Sequence, residues 1–278
     1  MKRLLCVWVL WGLSAWAVAQ EVSFSVAESG TGRQAVVFIP GFACSGDVWQ
    51  ETVEALEKEC TCYVLTMAGF AGIAPEEHPS FEGWKEQIAR FIRDKRLEKP
   101  ILVGHSMGGG LALAVAADYP GLLRKVVVVD ALPCLKALTV PGFTSSPQAD
   151  CTELVDGLMA VDDRCFEQMQ RMSAATLTTD TLKCAEIASW GVASDRKTYA
   201  EMFCDFSNTD LRERIRRVTV PSLVLLEPSF RNIATSIREQ YKHLSGVRIE
   251  YAGKGLHFLM FDDKEWFLDR IREFITER

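Results

Sequence analysis

The chain has 278 residues, a formal net charge of −6 and no long run of like charges. This mildly acidic balance argues against a protein that binds nucleic acid, because such proteins present basic patches to the phosphates. The length suits a single α/β domain of the larger kind with an inserted subdomain, and two unrelated domains are not expected.

The first 19 residues have the pattern of a secretory signal peptide. Lys2 and Arg3 precede an apolar stretch that ends at Trp16, and Ala17–Ala19 forms an A-x-A cleavage site. The apolar stretch is shorter than the ~20 residues that a membrane-spanning helix needs. We therefore expect an exported protein, periplasmic or extracellular, with no stable membrane insertion once the signal is removed.

An even number of cysteines remains after cleavage at residue 19, which in an exported protein indicates disulfides, although the sequence does not give their pairing. The eight are Cys44, Cys60, Cys62, Cys134, Cys151, Cys165, Cys184 and Cys204. Zinc binding is the competing interpretation, but Cys60-Thr61-Cys62 lacks the C-x-x-C spacing and no second cysteine or histidine pair complements it. We therefore expect neither a metal nor any other cofactor.

Strands and helices alternate in the first half of the chain, as in a parallel sheet with helices on both faces. Residues 21–27 alternate like a half-exposed edge strand, whereas the apolar run 35–39 indicates a strand that is buried on both faces. The next predicted elements are a helix at 47–59, a strand at 62–67 and a helix capped by Ser80.

The stretch from Ile101 to Gly110 is an apolar run that ends in G-x-S-x-G and passes directly into a helix-like segment. A serine on a sharp strand-to-helix turn has a strained backbone, and the small residues Gly104 and Gly108 leave space for it. The turn lifts the hydroxyl above the sheet edge, and N–H groups at the start of the following helix can stabilise an oxyanion. Ser106 is therefore the candidate nucleophile.

The sequence Gly-His-Ser-Met-Gly-Gly at residues 104–109 resembles the nucleophile motif of the α/β-hydrolase family. This resemblance implies the α/β-hydrolase fold and serine hydrolase chemistry. It places the oxyanion hole at the backbone N–H groups of Phe42 and Met107, which leaves both side chains free to shape the pocket, although Pro40 replaces the family's usual histidine. An ordinary glycine turn at Gly41 is the alternative for that segment.

After the motif, a buried strand at 125–129 ends at Asp130, and the pattern then changes. Residues 133–209 have no long β-branched run and contain five of the eight cysteines, which indicates a mostly helical cap. We expect residues 20–132 and 210–278 to form the α/β-hydrolase core. Its later elements are a short helix from Asp210, strands at 221–226 and 247–251, and helices at 233–244 and 263–276.

A hydrolytic serine needs a histidine as general base, because its own hydroxyl is a weak nucleophile at neutral pH. Of the four histidines, His257 lies in the loop between the last strand and the last helix, where the resembled family carries its base. His105 directly precedes the nucleophile and should point away from it. His243 falls in a predicted helix, and His78 precedes the nucleophile in the chain, against the order expected of this fold.

The acid that orients the histidine has two candidates. The aspartate that usually follows the strand at 221–226 in this family is absent, because the chain there continues as Leu226-Glu227-Pro228. Asp130 is the favoured candidate, since some lipases of this fold hold their acid at the end of that strand, and Glu227 is the alternative. Asp130 could instead cap the next turn, and neither carboxylate need serve.

Together these residues predict an exported serine hydrolase that cleaves an ester-type acyl bond of a small or apolar substrate through an acyl-enzyme intermediate. Serine at position 106 argues against dehalogenase and epoxide hydrolase chemistry, which uses a carboxylate nucleophile in this fold. The opposing class is a catalytically weak or inactive binding protein that kept the fold, and the missing acid after Leu226 favours it. We expect a small-molecule substrate, and the sequence indicates no oligomeric state.

Overall fold

The computed structural model describes residues 23–140, 142–146 and 149–277. The predicted signal peptide, residues 1–19, lies outside these ranges and stays a prediction. Within them, no helix combines the length and the apolar character that are needed to cross a membrane.

In the described part of the chain, seven strands form one sheet. They are β1 (Phe24–Ser29), β2 (Gln34–Ile39), β3 (Cys60–Met67), β4 (Ile101–His105), β5 (Lys125–Val129), β6 (Ser222–Leu226) and β7 (Arg248–Tyr251). Their order is β1-β3-β2-β4-β5-β6-β7, and only β1 runs antiparallel to its neighbour. Strands β4, β5 and β6 are buried along their whole length, as expected for central parallel strands with helices on both faces. The predicted α/β class with a mostly parallel sheet is confirmed.

The described residues also form ten α-helices. They are α1 (Gln50–Leu56), α2 (Phe81–Asp94), α3 (Met107–Asp118), α4 (Thr152–Met159), α5 (Asp163–Ala174), α6 (Thr181–Val192), α7 (Arg196–Asn208), α8 (Ala234–Tyr241), α9 (Leu259–Asp262) and α10 (Lys264–Thr276). Alternate strand residues enter two separate apolar clusters, as Val36 and Phe38 do in one and Val37 and Ile39 do in the other. Because alternate side chains of a strand point to opposite faces, the sheet has a core on each side. Helices α2, α3 and α8 cover one face, and α1 and α10 cover the other.

Helices α4 to α7 are inserted between β5 and β6, inside the range 133–209 that was predicted to be the cap. Helix α5 packs along α6, and α4 packs along α7. A disulfide between Cys151 and Cys204 joins the residue before α4 to α7, and the other six described cysteines are free thiols. Ala174 and Trp190 belong to the core cluster under α1 and α10, so the inserted helices are anchored on the sheet domain.

The ends of several elements differ from the predicted ones because local contacts decide them. Strand β1 continues to Ser29, since its last two residues pair with β3. The helix expected from Asp210 is only a 3-10 turn, Arg214–Arg217, because the chain is already extended at Val218 before it enters β6. The predicted helix at 233–244 is shorter in the structure, where α8 ends at Tyr241 and a 3-10 turn, Pro228–Ile233, precedes it.

Candidate active site

Ser106 occupies the turn between β4 and α3 with a φ of 53° and a ψ of −122°. Its N–H donates a hydrogen bond of 2.8 Å to the carbonyl oxygen of Val129, so the parallel pairing of β4 with β5 continues into the turn. A β-carbon at Gly104 would lie 2.1 Å from the carbonyl oxygen of Gly108, and one at Gly108 would lie 2.4 Å from the carbonyl oxygen of Ile39. Both positions therefore require glycine because backbone atoms approach closely, which is the steric situation that the motif predicts.

The backbone N–H groups of Phe42 and Met107 flank the serine. Neither group donates a hydrogen bond to a described residue, and Met107 is the first residue of α3, where no intrahelical partner exists. A β-carbon at Gly41 would lie 3.2 Å from the β-carbon of Ser106, so the 40–42 segment packs directly against the nucleophile. The Phe42 side chain lines the cavity described below, but the Met107 side chain is fully buried in the core. The expectation that both side chains shape the pocket is wrong for Met107, because α3 directs it towards the sheet.

Asp130 and His257 form a direct pair although they are far apart in the chain. The Nδ1 atom of His257 lies 2.6 Å from the Oδ2 atom of Asp130, and the Asp130 side chain is only 2% exposed. Asp130 stands at the end of β5 with a positive φ of 47°, a backbone conformation that is uncommon outside glycine and turns its side chain towards the His257 loop.

Glu227 contributes its backbone, and not its carboxylate, to this arrangement. Its N–H donates a hydrogen bond of 2.7 Å to the Oδ1 atom of Asp130, whereas its own carboxylate accepts a hydrogen bond from Ser229. The structure thus brings the carboxylate of Asp130 to His257 and directs that of Glu227 elsewhere. Asp130 thus also has a structural contact, but with the residue that precedes the Pro228–Ile233 turn after β6, and not with the turn that directly follows Asp130.

A cavity of about 210 Å³ lies between the sheet domain and the inserted helices. Ser106, His257 and Phe42 line it from the sheet domain, and α5, α6 and α7 line it from above. The lining side chains from these three helices are Gln170, Ser173, Ala174, Ile187, Tyr199, Phe203 and Phe206. No aspartate, glutamate, lysine or arginine belongs to the lining among the described residues, so the cavity suits an uncharged and largely apolar ligand.

A family model for the alpha/beta hydrolase fold matches residues 34–181, which is more than half of the chain. The chain belongs to the α/β-hydrolase family. A pimeloyl-[acyl-carrier protein] methyl ester esterase of Vibrio parahaemolyticus is 22% identical over 257 residues, which cover 87% of this chain and 94% of that protein. A non-heme chloroperoxidase of Kitasatospora aureofaciens is 26% identical over 212 residues, which cover 70% and 74% of the two chains.

Solved structures of the same fold also match this α/β-hydrolase. The enol-lactonase of Burkholderia xenovorans superposes with a TM-score of 0.74 over 91% of this chain and 96% of its own, at 16% sequence identity. Identity this low shows the shared fold alone. With the family match and the hydrolase relatives, the chain is a hydrolase, as predicted from its nucleophile motif.

His105 has a contact with the His257 backbone that the sequence does not reveal. The His105 ring packs against the ring of His257 at a centroid distance of 4.5 Å, and its Nε2 atom lies 3.1 Å from the carbonyl oxygen of His257. Burial and the neighbouring His257 lower the pKa of His105 well below its ordinary value, so the ring is neutral and its Nε2–H donates to that carbonyl. His105 therefore holds the backbone of the candidate base.

Asp262 is a second residue that no motif in the sequence singles out. Its carboxylate accepts hydrogen bonds from the hydroxyls of Thr178 and Thr179 at 2.7 and 2.9 Å and from the N–H of Leu256 at 2.8 Å. These contacts tie the loop that carries His257 to the connection between α5 and α6. A backbone bond of 3.1 Å from the Phe258 N–H to the Leu177 carbonyl adds to this link.

Two other histidines and the cysteine in the cavity wall are not suited to act as base or nucleophile. His243 pairs with Glu213 on the surface, and His78 is exposed beside Glu77. Cys44 lines the cavity, but burial raises the pKa of its thiol to about 12, so it stays protonated and is a poor nucleophile. Among the residues that the structure describes, no three His, Cys, Asp or Glu side chains are grouped to hold a metal ion.

Proposed function

We propose that this hydrolase cleaves ester-type acyl bonds of small or apolar substrates through an acyl-enzyme intermediate on Ser106. The observation that carries the proposal is the 2.6 Å contact between His257 Nδ1 and Asp130 Oδ2 at the wall of the cavity that Ser106 also lines. A carboxylate at Nδ1 fixes the tautomer in which Nε2 can accept a proton, as a general base for serine requires.

Each remaining step has a group in the right region of the cavity. Ser106 attacks the acyl carbonyl while His257 takes its proton, and the N–H groups of Phe42 and Met107 bind the oxyanion that forms. His257 then delivers the proton to the departing alcohol, which leaves the acyl group on Ser106. A water molecule activated by the same histidine hydrolyses this ester, and Asp130 stabilises the imidazolium in both halves of the reaction.

The size and the lining of the cavity support a small substrate. A volume of about 210 Å³ lies below the ~300–1,000 Å³ of typical ligand pockets. The name of the Vibrio relative supports an ester as the bond that is cleaved. The alternative of a binding protein without turnover rests on the missing carboxylate after Leu226, and that reason no longer applies because Asp130 reaches His257 from the neighbouring strand.

Turnover of p-nitrophenyl esters tests the proposal and its assignment of the acid. Wild-type protein should hydrolyse short-chain esters, Asp130→Asn should lose ~10⁴-fold in kcat, and the matched variant Glu227→Gln should stay close to wild type. The assignment of the acid is wrong if Asp130→Asn keeps near wild-type turnover while Glu227→Gln loses it. The absence of turnover for every chain length in well-folded wild type would overturn the proposed function.

Export is the second part of the proposal. It is supported by the signal-peptide pattern of residues 1–19 and by the disulfide between Cys151 and Cys204, since disulfides persist in oxidising compartments. Mass spectrometry of the protein recovered from a periplasmic or extracellular fraction should find a chain that begins at Gln20. Protein that stays in the cytosolic fraction with residues 1–19 attached would contradict it.

A further inference from the structure

The wall that the inserted helices contribute to the catalytic cavity contains a buried amide beside a phenol. Gln170 of α5 is only 7% exposed, and Tyr199 of α7 lines the same cavity as Ser106 and His257. Glutamine is seldom buried in an apolar wall, because an amide that loses water must regain its hydrogen bonds elsewhere. The acyl-transfer chemistry uses neither residue, so it does not explain why an amide and a phenol stand in this wall.

Gln170 is held in place with part of its hydrogen-bonding capacity unused. A β-carbon at Gly191 of α6 would lie 2.3 Å from Oε1 of Gln170, so the amide packs closely against the α6 backbone. Gln170 and Tyr199 line the same cavity, and burial raises the pKa of Tyr199 by more than the neighbouring amide lowers it, but no described residue donates to the Oε1 atom of Gln170. A glutamine side chain has two donors and a carbonyl with two lone pairs, so an acceptor remains available to a ligand in the cavity.

Tyr199 offers the complementary donor. Its O–H lines the cavity and no described residue accepts it, so it can be donated to a ligand. Burial raises the pKa of Tyr199, which keeps the hydroxyl protonated. Its ring packs edge-to-face on Phe42 at a centroid distance of 4.5 Å, which places the phenol beside the segment that carries an oxyanion N–H.

We propose that Gln170 and Tyr199 form a polar subsite that binds a neutral hydroxyl group on the substrate. A hydroxyl can donate to Oε1 of Gln170 and accept from Tyr199, whereas a carboxylate or an ammonium group would find no opposite charge in a cavity lined without charged side chains. The substrate class is then a short hydroxylated ester. This inference rests on the proposed function, because it assigns a specificity to the same cavity.

Matched ester pairs that differ by one hydroxyl test the subsite. The pairs are p-nitrophenyl 3-hydroxybutyrate with 3-methylbutyrate, p-nitrophenyl 6-hydroxyhexanoate with heptanoate, and 2-hydroxyethyl butyrate with propyl butyrate, so hydroxyls on either side of the ester are sampled. Wild type should prefer the hydroxyl member of at least one pair by about 10-fold or more in kcat/KM, since a site built to hydrogen bond a hydroxyl discriminates against its absence. Tyr199→Phe and Gln170→Met should bring that ratio close to one, because the hydroxyl member loses its hydrogen-bond partner whatever either change does to the turnover of both members.

Gln168→Met is the control, because it makes the same change at an exposed position of the same helix and should leave the ratio unchanged. Equal kcat/KM values within all three pairs in wild type, or a preference that survives both Tyr199→Phe and Gln170→Met, would overturn the subsite while ester hydrolysis stands. Loss of all ester turnover in well-folded wild type would overturn the proposed function and the subsite together.

Discussion

Two residues of the site, Ser106 and Asp130, have positive φ angles of 53° and 47° although neither is glycine. Each stands at the carboxyl end of a central strand, β4 and β5, and each has its N–H bonded to the next strand, to Val129 and to Leu225. Such conformations cost on the order of 1–3 kcal/mol and persist only where the surrounding structure determines them. Here the paired strands do so, and the strained backbone turns the Ser106 side chain towards the cavity and the Asp130 side chain towards His257.

Gly41→Ala tests how closely the oxyanion segment packs against the nucleophile. The added methyl would lie 2.7 Å from Nδ1 of His105 and 3.2 Å from the β-carbon of Ser106, so the segment must move and its N–H must leave the oxyanion. We expect kcat for a p-nitrophenyl ester to fall by about 10² or more, the usual cost of one lost oxyanion donor. Gly157→Ala on α4, where a β-carbon meets nothing within 4 Å, should keep wild-type kcat. Equal activity of the two variants would contradict this geometry.

At the residue scale the sequence singles out Ser106 and His257 as candidates but cannot decide the acid. Ser106 follows from a local motif whose glycines have a steric reason within five residues. The choice between Asp130 and Glu227 depends on a contact between residues 127 positions apart, and on the direction in which one turn points a carboxylate. Only the folded sheet contains that information. His105 was missed for the same reason, because its partner is the backbone of a distant loop.

The loop that carries His257 owes its position to a neighbouring element, the connection between α5 and α6. Asp262 bridges the two with hydrogen bonds to Thr178, Thr179 and Leu256, and it is only 8% exposed. Hydrogen bonds to a buried carboxylate typically contribute 1.5–3 kcal/mol each, so this contact should matter for both the stability and the placement of the base.

Asp262→Asn should therefore lower the free energy of unfolding by about 2 kcal/mol and reduce kcat for a short ester by roughly 10-fold, because a neutral amide cannot accept the same set of hydrogen bonds. Urea unfolding and steady-state kinetics on the same sample check both effects. Asp269→Asn, an exposed position on α10, should change neither quantity. An Asp262→Asn protein that unfolds like wild type and keeps full kcat would show that the bridge does not position His257.

Strands that are buried on both faces were predictable, whereas the ends of elements and the packing of the inserted helices were not. β4 and β5 are buried along their whole length and β2 is buried from Val36 to Ile39, so these strands appear in the sequence as short, largely apolar runs. The 3-10 turns at Arg214–Arg217 and Pro228–Ile233 depend on where the following strand or helix begins. The contacts of α5 with α6 and of α4 with α7 are tertiary, and the helical periodicity of the sequence does not specify them.

For the molecule as a whole, acid stability should depend on a charged network that joins α2, α3 and the turn before β6. Burial by itself raises the pKa of Asp118, but hydrogen bonds from Arg214 and Lys85 outweigh it and lower the pKa from 3.8 to about 2. The Asp118 carboxylate therefore binds a proton less readily in the folded protein than in the unfolded chain. Its contribution to stability is therefore complete above pH 3.8 and is lost as the pH falls through about 2.

Asp118→Asn removes this contribution. We expect a free energy of unfolding at neutral pH that is about 2 kcal/mol lower, at ~1.4 kcal/mol for each unit of pKa shift, and a shallower decline between pH 4 and pH 2. Urea titrations over that range measure the slope, and Asp156→Asn at an exposed position of α4 is the matched control. An Asp118→Asn variant whose stability falls as steeply with acid as that of wild type would contradict the prediction.

The proposed activity requires one serine that is activated by its surroundings, and a fluorophosphonate probe reports on that serine directly. Intact mass and peptide mapping of the wild-type protein should find a single adduct on Ser106, and Ser106→Ala should give none. Well-folded wild-type protein that stays unlabelled, or that carries the adduct on another residue, would contradict the assignment of Ser106, His257 and Asp130 as a working hydrolytic site.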